Sequence, residues 1–160
     1  MNSARRKPFR LTEVVTAEDE LHTAVAKALR VLVMPPAAWT CFPAGNMPLE
    51  PRFAAKLARF GLAPGWPDLL VLFGGRLFGV ELKRVGGRLS KTRLVLRRDR
   101  RGNLRQRLVI GQAEVFPLLL AAGMADIAVC TSVEAVLTAL RGWGVPLRLR
   151  DRLIEEAATP

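Results

Sequence analysis

Asp68, Glu81 and Lys83 are the residues whose types and spacing could do chemistry. They lie in GWPDLLVLFGGRLFGVELKR, Gly65 to Arg84, which reads as two short apolar strands around Gly74-Gly75. Such strands favour burial, where bare charge is costly. Alternate strand residues share a face, so Glu81 and Lys83 project together while Leu82 points away. A tight hairpin brings Asp68 beside Glu81 at a strand spacing of about 5 Å. Two carboxylates that close repel each other, and a hard divalent cation relieves the repulsion. Mg²⁺ takes few protein carboxylates and leaves room for phosphate oxygens; such a metal polarises a phosphodiester and acidifies bound water. Lys83 is placed to orient that water or to hold charge developing on phosphate. The plainer alternatives are an exposed Glu-Lys pair on an edge strand and, for Asp68, an ordinary Pro-Asp turn.

The charge of the chain points to an anionic partner. The 160 residues carry a net charge of +11 and are half apolar, enough for one domain with a real core. Between Arg84 and Arg107 stand Arg84, Arg88, Lys91, Arg93, Arg97, Arg98, Arg100, Arg101, Arg105 and Arg107 against one acid, Asp99. That window carries +9 of the +11. A patch so localised predicts collective phosphate contact and makes nucleic acid the expected partner.

The elements that must position these residues follow from periodicity. TAEDELHTAVAKALRVLV has an apolar stripe at helical spacing, with Thr16 and Asp19 as a capping box. AAWTCF reads as a strand, and LEPRFAAKLARFG as a short helix or part of a loop, ending at Gly61. DLLVLF and RLFGVELK form the central hairpin. TRLVLRRDRRGNLRQRLVI alternates on both sides of DRRGN and reads as a second, basic hairpin, with a disordered arm as the competing reading. GQAEVFPLLLAAG is a helix that Pro117 should kink or start late. DIAVC is the last strand, and TSVEAVLTALRGWG the last helix, with Thr131 and Glu134 as its capping box. The order predicts an α/β domain with a mixed sheet covered by helices. Residues 1–15 read as a basic arm, 16–145 as the domain with its basic insert at 84–110, and 146–160 as a tail.

Several classes are disfavoured. There is no tyrosine, so no tyrosine nucleophile, and no GxxxxGK[ST] phosphate loop. No Ser-His pair sits in a nucleophile context. Cys41 and Cys130 lack metal-ligand spacing and read as reduced core residues of a cytoplasmic protein. The basic N-terminus is not followed by the apolar run of a signal peptide, and no uninterrupted run could span a membrane. His22 reads as an ordinary surface or core histidine. Trp39, Trp66 and Trp143 read as core residues, with Trp66 of interest because it adjoins the acids.

Pro67-Asp68 followed by Glu81-Leu82-Lys83 resembles the PD-(D/E)XK nuclease signature. GGRLS after Arg84, the glutamine-led GQAEVFPLLLAAG and the acidic helix EDELHTAV resemble the VRR-NUC branch of that superfamily. The resemblance spans roughly residues 17 to 140. It implies a restriction-endonuclease-like core and a Mg²⁺- or Mn²⁺-dependent endonuclease, often acting on branched or flap DNA. By that resemblance Asp68 and Glu81 bind metal, the Leu82 carbonyl adds a ligand, and Lys83 is catalytic. Gln112 matches the helix glutamine near lysine and phosphate. Glu20 matches the N-terminal helix acid, with Glu18 and Asp19 as rivals. One departure is that 21 residues separate Ser90 from Gln112, and these hold most of the basic charge. A single site cuts one strand, so paired cuts at a junction lead to a homodimer as an expectation. The rival function is a nucleic-acid-binding module without hydrolysis, its acids serving structure alone.

Overall fold

The computed structural model describes residues 17–42, 51–98 and 102–148. Helix α1 (Ala17–Leu32) leads into strand β1 (Ala38–Cys41) and helix α2 (Pro51–Arg59). The central hairpin follows as β2 (Leu69–Phe73) and β3 (Arg76–Leu82), then a second hairpin as β4 (Arg93–Arg98) and β5 (Leu104–Val109). Helix α3 (Gln112–Ala121), strand β6 (Asp126–Cys130) and helix α4 (Val133–Gly142) complete the order. Four strands form a mixed sheet in the order β1-β2-β3-β6, antiparallel except for the parallel β3–β6 pair. The turn between β2 and β3 needs positive φ at both positions, 57° at Gly74 and 71° at Gly75, which glycine adopts without steric penalty.

The sheet has two different faces. Phe78, Val80 and Leu82 alternate onto one, with Leu69 and Val71 beside them. There they pack with Val25 and Leu29 of α1 and Val136 and Leu140 of α4 in one core. Trp143, half-buried, stacks on Phe78 with ring centroids 4.7 Å apart, and its Nε1 donates to Asp126 Oδ2 at 2.8 Å. The opposite face carries Gly79, Glu81 and Lys83. Gly79 leaves space for Pro67 to lie against the strand, where an added Cβ would meet Pro67 Cγ at 2.6 Å. Helix α3 lies on this second face, so helices flank the sheet on both sides.

Several expectations need correction. Helix α3 begins at Gln112 and runs through Pro117, so the proline does not force a late start, and its missing N–H leaves one helical donor absent. The cap of α4 is Ser132, whose Oγ accepts from Ala135 N at 3.1 Å, so Thr131 and Glu134 do not form a capping box. Cys130 is buried, but Cys41 is exposed because β1 is an edge strand. Thr16, the proposed cap of α1, the arm at 1–15 and the chain from 149 onward lie outside the described residues. Pro146 and Arg148, assigned to the tail, instead hydrogen-bond to Met34 and Leu32. Among the described residues no helix is long and apolar enough to cross a membrane.

Within the basic insert, β4 and β5 form a two-stranded ribbon. Its register pairs Arg93 with Val109, Val95 with Arg107, Leu94 with Leu108, and Leu96 with Gln106. Cross-strand partners share a face, so Arg93, Arg105 and Arg107 stand on one side. Leu94, Leu96, Leu104 and Leu108 stand on the other.

Candidate active site

Asp68 immediately precedes β2. Because Leu69 pairs with Val80, continuing the register places Asp68 opposite Glu81. The Asp68 carboxylate takes the role of a ladder acceptor, with its Oδ2 accepting from Leu82 N at 2.8 Å. Phe42 N donates to the Asp68 carbonyl at 2.7 Å, and Lys83 N donates to the Cys130 carbonyl at 2.9 Å. The acids and lysine are thus held by backbone contacts from strands on both sides of the hairpin.

Glu81 is fully buried. Its Oε1 lies 2.5 Å from Lys83 Nζ and accepts from Gln112 Nε2 at 2.5 Å. Its Oε2 is buried with no hydrogen-bond partner, a costly state for a carboxylate oxygen. Burial above all, and then the charge of Asp68, push the Glu81 acid up to about 7; the Lys83 and Gln112 contacts pull the other way. An oxygen so placed is satisfied by a proton or by a cation. Two adjacent carboxylates with one orphaned hard oxygen fit a divalent ion. Among the described residues no group of three or more His, Cys, Asp or Glu assembles. The carboxylates that could hold a cation here are those of Asp68 and Glu81.

Glu20 does not join the pair. It is exposed, while Glu18 lines a cleft of about 400 Å³ together with Lys83, Arg84 and Arg88. The reason is helical phase. Glu18 precedes Val25 by two turns and Leu29 by three, so it shares their inward face, whereas Glu20 falls on the other side. That phase was present in the sequence and distinguishes Glu18 from its neighbours. His22 lines neither this cleft nor the next one.

A second cleft, of about 350 Å³, is lined by Trp66, Asp68, Lys83, Lys91, Arg93 and Gln112, among others. Lys83 therefore belongs to both clefts. Trp66 is half-buried against Phe42, at 5.3 Å between ring centroids, and forms cleft wall rather than core. Of the remaining basic residues, Arg98 is exposed and donates to the Gly102 carbonyl at 3.0 Å, closing the ribbon near its tip. Arg105 and Arg107 are exposed along β5. Arg97 lies on β4, and Arg100 and Arg101 lie outside the described residues.

Sequence reasoning missed Ser90. Its Oγ accepts from Gln112 N at 3.1 Å, and its backbone N donates to Gln112 Oε1 at 3.3 Å. With Oε1 so occupied, the Gln112 amide presents Nε2 to Glu81. Thr92 adds a parallel lock: its Oγ1 accepts from Gly111 N at 3.0 Å, and its N donates to Glu114 Oε2 at 3.2 Å. The two strands of the ribbon leave from this clamp. Gly111 makes it close, since a Cβ there would lie 2.3 Å from the Ser90 carbonyl. The chain matches no protein-family profile, no curated protein and no solved structure.

Proposed function

We propose that this chain is a Mg²⁺- or Mn²⁺-dependent endodeoxyribonuclease with a restriction-endonuclease-like PD-(D/E)XK core of the VRR-NUC type, acting on branched or otherwise structured DNA. The observation that carries the reading is the Glu81 carboxylate: one oxygen fixed by Lys83 and Gln112, the other buried without a partner, and Asp68 beside it. Asp68 and Glu81 would hold the metal, with the Leu82 carbonyl as a further oxygen. A cation bound there supplies Lewis acidity toward a phosphodiester. Lys83 presents its ammonium to the cleft, where it neutralises charge building on phosphate. Gln112 fixes the Glu81 carboxylate through one oxygen and leaves the other for the metal. Lys91 and Arg93 hold flanking phosphates along the cleft wall, and Trp66 offers a ring face beside the acids.

The test is digestion of a panel of defined DNAs (duplex, flap, four-way junction) with Mg²⁺, with Mn²⁺ and with EDTA. Cleavage should require the metal. Lys83→Ala should lower the rate by roughly 10²- to 10³-fold, in line with loss of one transition-state donor, while oligonucleotide binding persists. Undiminished cutting by purified Lys83→Ala would refute the assignment. A second reading is favoured by one observation, the direct Glu81–Lys83 ion pair, which could serve packing alone. On that reading the chain binds nucleic acid without hydrolysis, and the panel shows binding and no cleavage under every metal.

A further inference from the structure

The cleft that holds Asp68 has two chemically different linings. Lys83, Lys91 and Arg93 give it positive charge, whereas Trp66, Val109 and Ile110 give it apolar surface. Phosphate contact uses the first set and has no use for the second. The apolar lining is also held in place. Gly65 has φ of 90° and lies so close to α3 that an added Cβ would meet Val115 Cγ2 at 2.7 Å. Pro67 is buried against Gly79 of β3. Trp66 stands between these two contacts, on a segment wedged between α3 and the sheet, with the Phe42 ring packed on it. Trp66 is half-buried and Ile110 is 47% exposed, so both keep apolar surface open to the cleft.

We infer that this apolar lining takes the base of an unpaired nucleotide, stacked on Trp66, while the flanking phosphates lie on Lys83, Lys91 and Arg93. The mixed chemistry of the cleft selects that occupant. A nucleotide joins a flat apolar ring to an anion, and each half finds its complement here. An apolar peptide would leave the three cations unused, and a bare phosphate would leave Trp66 unused. In a duplex the faces of each base are covered by stacked neighbours. An indole ring reaches a base face only where the nucleotide is single-stranded or has left the stack. Size agrees. The cleft volume of about 350 Å³ is near the lower end of small-ligand pockets, about 300–1,000 Å³, which suits one nucleotide and not a paired stack. The fixed position of Trp66 adds to affinity, because a platform ordered before binding loses little freedom when occupied. The inference rests on the nucleic-acid part of the proposed function and not on hydrolysis. It narrows the substrate to DNA in which the strand beside Asp68 is unpaired.

The experiment is a fluorescence-anisotropy titration of the full chain in EDTA, which suppresses metal-dependent cutting. The probes are a thymidine strand of about eight nucleotides, a base-free (abasic) strand of the same length and a duplex of the same length. Wild type should bind the thymidine strand about 5- to 150-fold more tightly than the base-free strand, the difference that one stacked base supplies. Trp66→Leu keeps an apolar side chain but loses the ring, and should lose that distinction. Trp66→Phe should keep most of it. The affinity that Trp66→Leu loses for duplex should be much smaller than the affinity it loses for the thymidine strand. Should Trp66→Leu fail to fold, Ile110→Ser alters an exposed residue of the same lining and should narrow the distinction. Equal binding of the thymidine and base-free strands by wild type overturns the inference. So does a Trp66→Leu variant that still tells them apart, or one that loses as much affinity for duplex as for single strand. Absence of cleavage in the digestion panel would end the nuclease reading and leave this inference standing, and equal binding of the two strands would do the reverse.

Discussion

Glu81 Oε2 sits in the protein interior with no donor to satisfy it, and that defect has a thermodynamic signature. The group titrates near 4.5 when unfolded and near 7 in the fold, chiefly because of burial. A carboxyl raised in this way penalises the ionised folded state. Its favourable contribution is complete below about 4.5 and is lost as pH rises to about 7. The loss is about 3 kcal/mol at most, taking 1.36 kcal/mol per unit. Metal-free wild type in EDTA should therefore lose stability across that window relative to Glu81→Gln, as followed by urea unfolding at a series of pH values. Adding Mg²⁺ at pH 7.5 should raise the melting temperature of wild type and leave that of Glu81→Gln unmoved. An equal pH response in both proteins would show that Glu81 is not the strained group. At this scale the sequence was informative about the pair itself, because Pro67-Asp68 and Glu81-Leu82-Lys83 fix strand alternation locally. It was not informative about the orphaned oxygen, which depends on where Gln112 and Lys83 reach in three dimensions.

At the scale of elements, the clamp between residues 90–92 and the start of α3 joins the ribbon to the site. Gly111 is its tightest point, with φ of −93°, an ordinary value for any residue. An alanine there would meet the Ser90 carbonyl and the Lys91 backbone first, and these cannot turn aside as a side chain can. Gly111→Ala should cost about 1–3 kcal/mol by overpacking, measured by urea unfolding. Gly142→Ala, with open space around it at the end of α4, should cost nothing comparable. If the two behave alike, the clamp is not rigid. The strands and helices themselves were legible because apolar patterning is a local signal: Leu69 to Phe73 form an unbroken apolar run, Phe78, Val80 and Leu82 alternate, and Val25 and Leu29 repeat at one turn. What sequence could not deliver was long-range partnership. Ser90 and Gln112 are 22 residues apart, and nothing in their types announces that one fixes the other's amide. The misassigned cap at Thr131 has a smaller cause, since Ser132 is an equally good cap one residue on and only backbone geometry decides between them.

For the whole molecule, the decisive property is the segregation of charge. Among the described residues, Lys83, Arg84, Arg88, Lys91 and Arg93 line the two clefts and Arg105 and Arg107 stand on the ribbon face that continues from one of them, while the main core lies across the sheet. Affinity for oligonucleotide should then fall linearly on a log–log plot against salt. Arg105→Ser/Arg107→Ser should reduce the slope by about 2, one unit for each lost phosphate contact. A filter-binding titration from low to high salt measures it, and an unchanged slope would remove the ribbon from the binding surface. The strand order has a mechanical consequence as well. Strand β3 is bonded on both sides, by β2 and by β6, whereas the ribbon is held to the body at its base. Amides of β3 should open only when the domain comes apart, while those of the ribbon open on their own. The groups hanging from β3 thus sit on an anvil, while the arm beside them is tied to the body at one end.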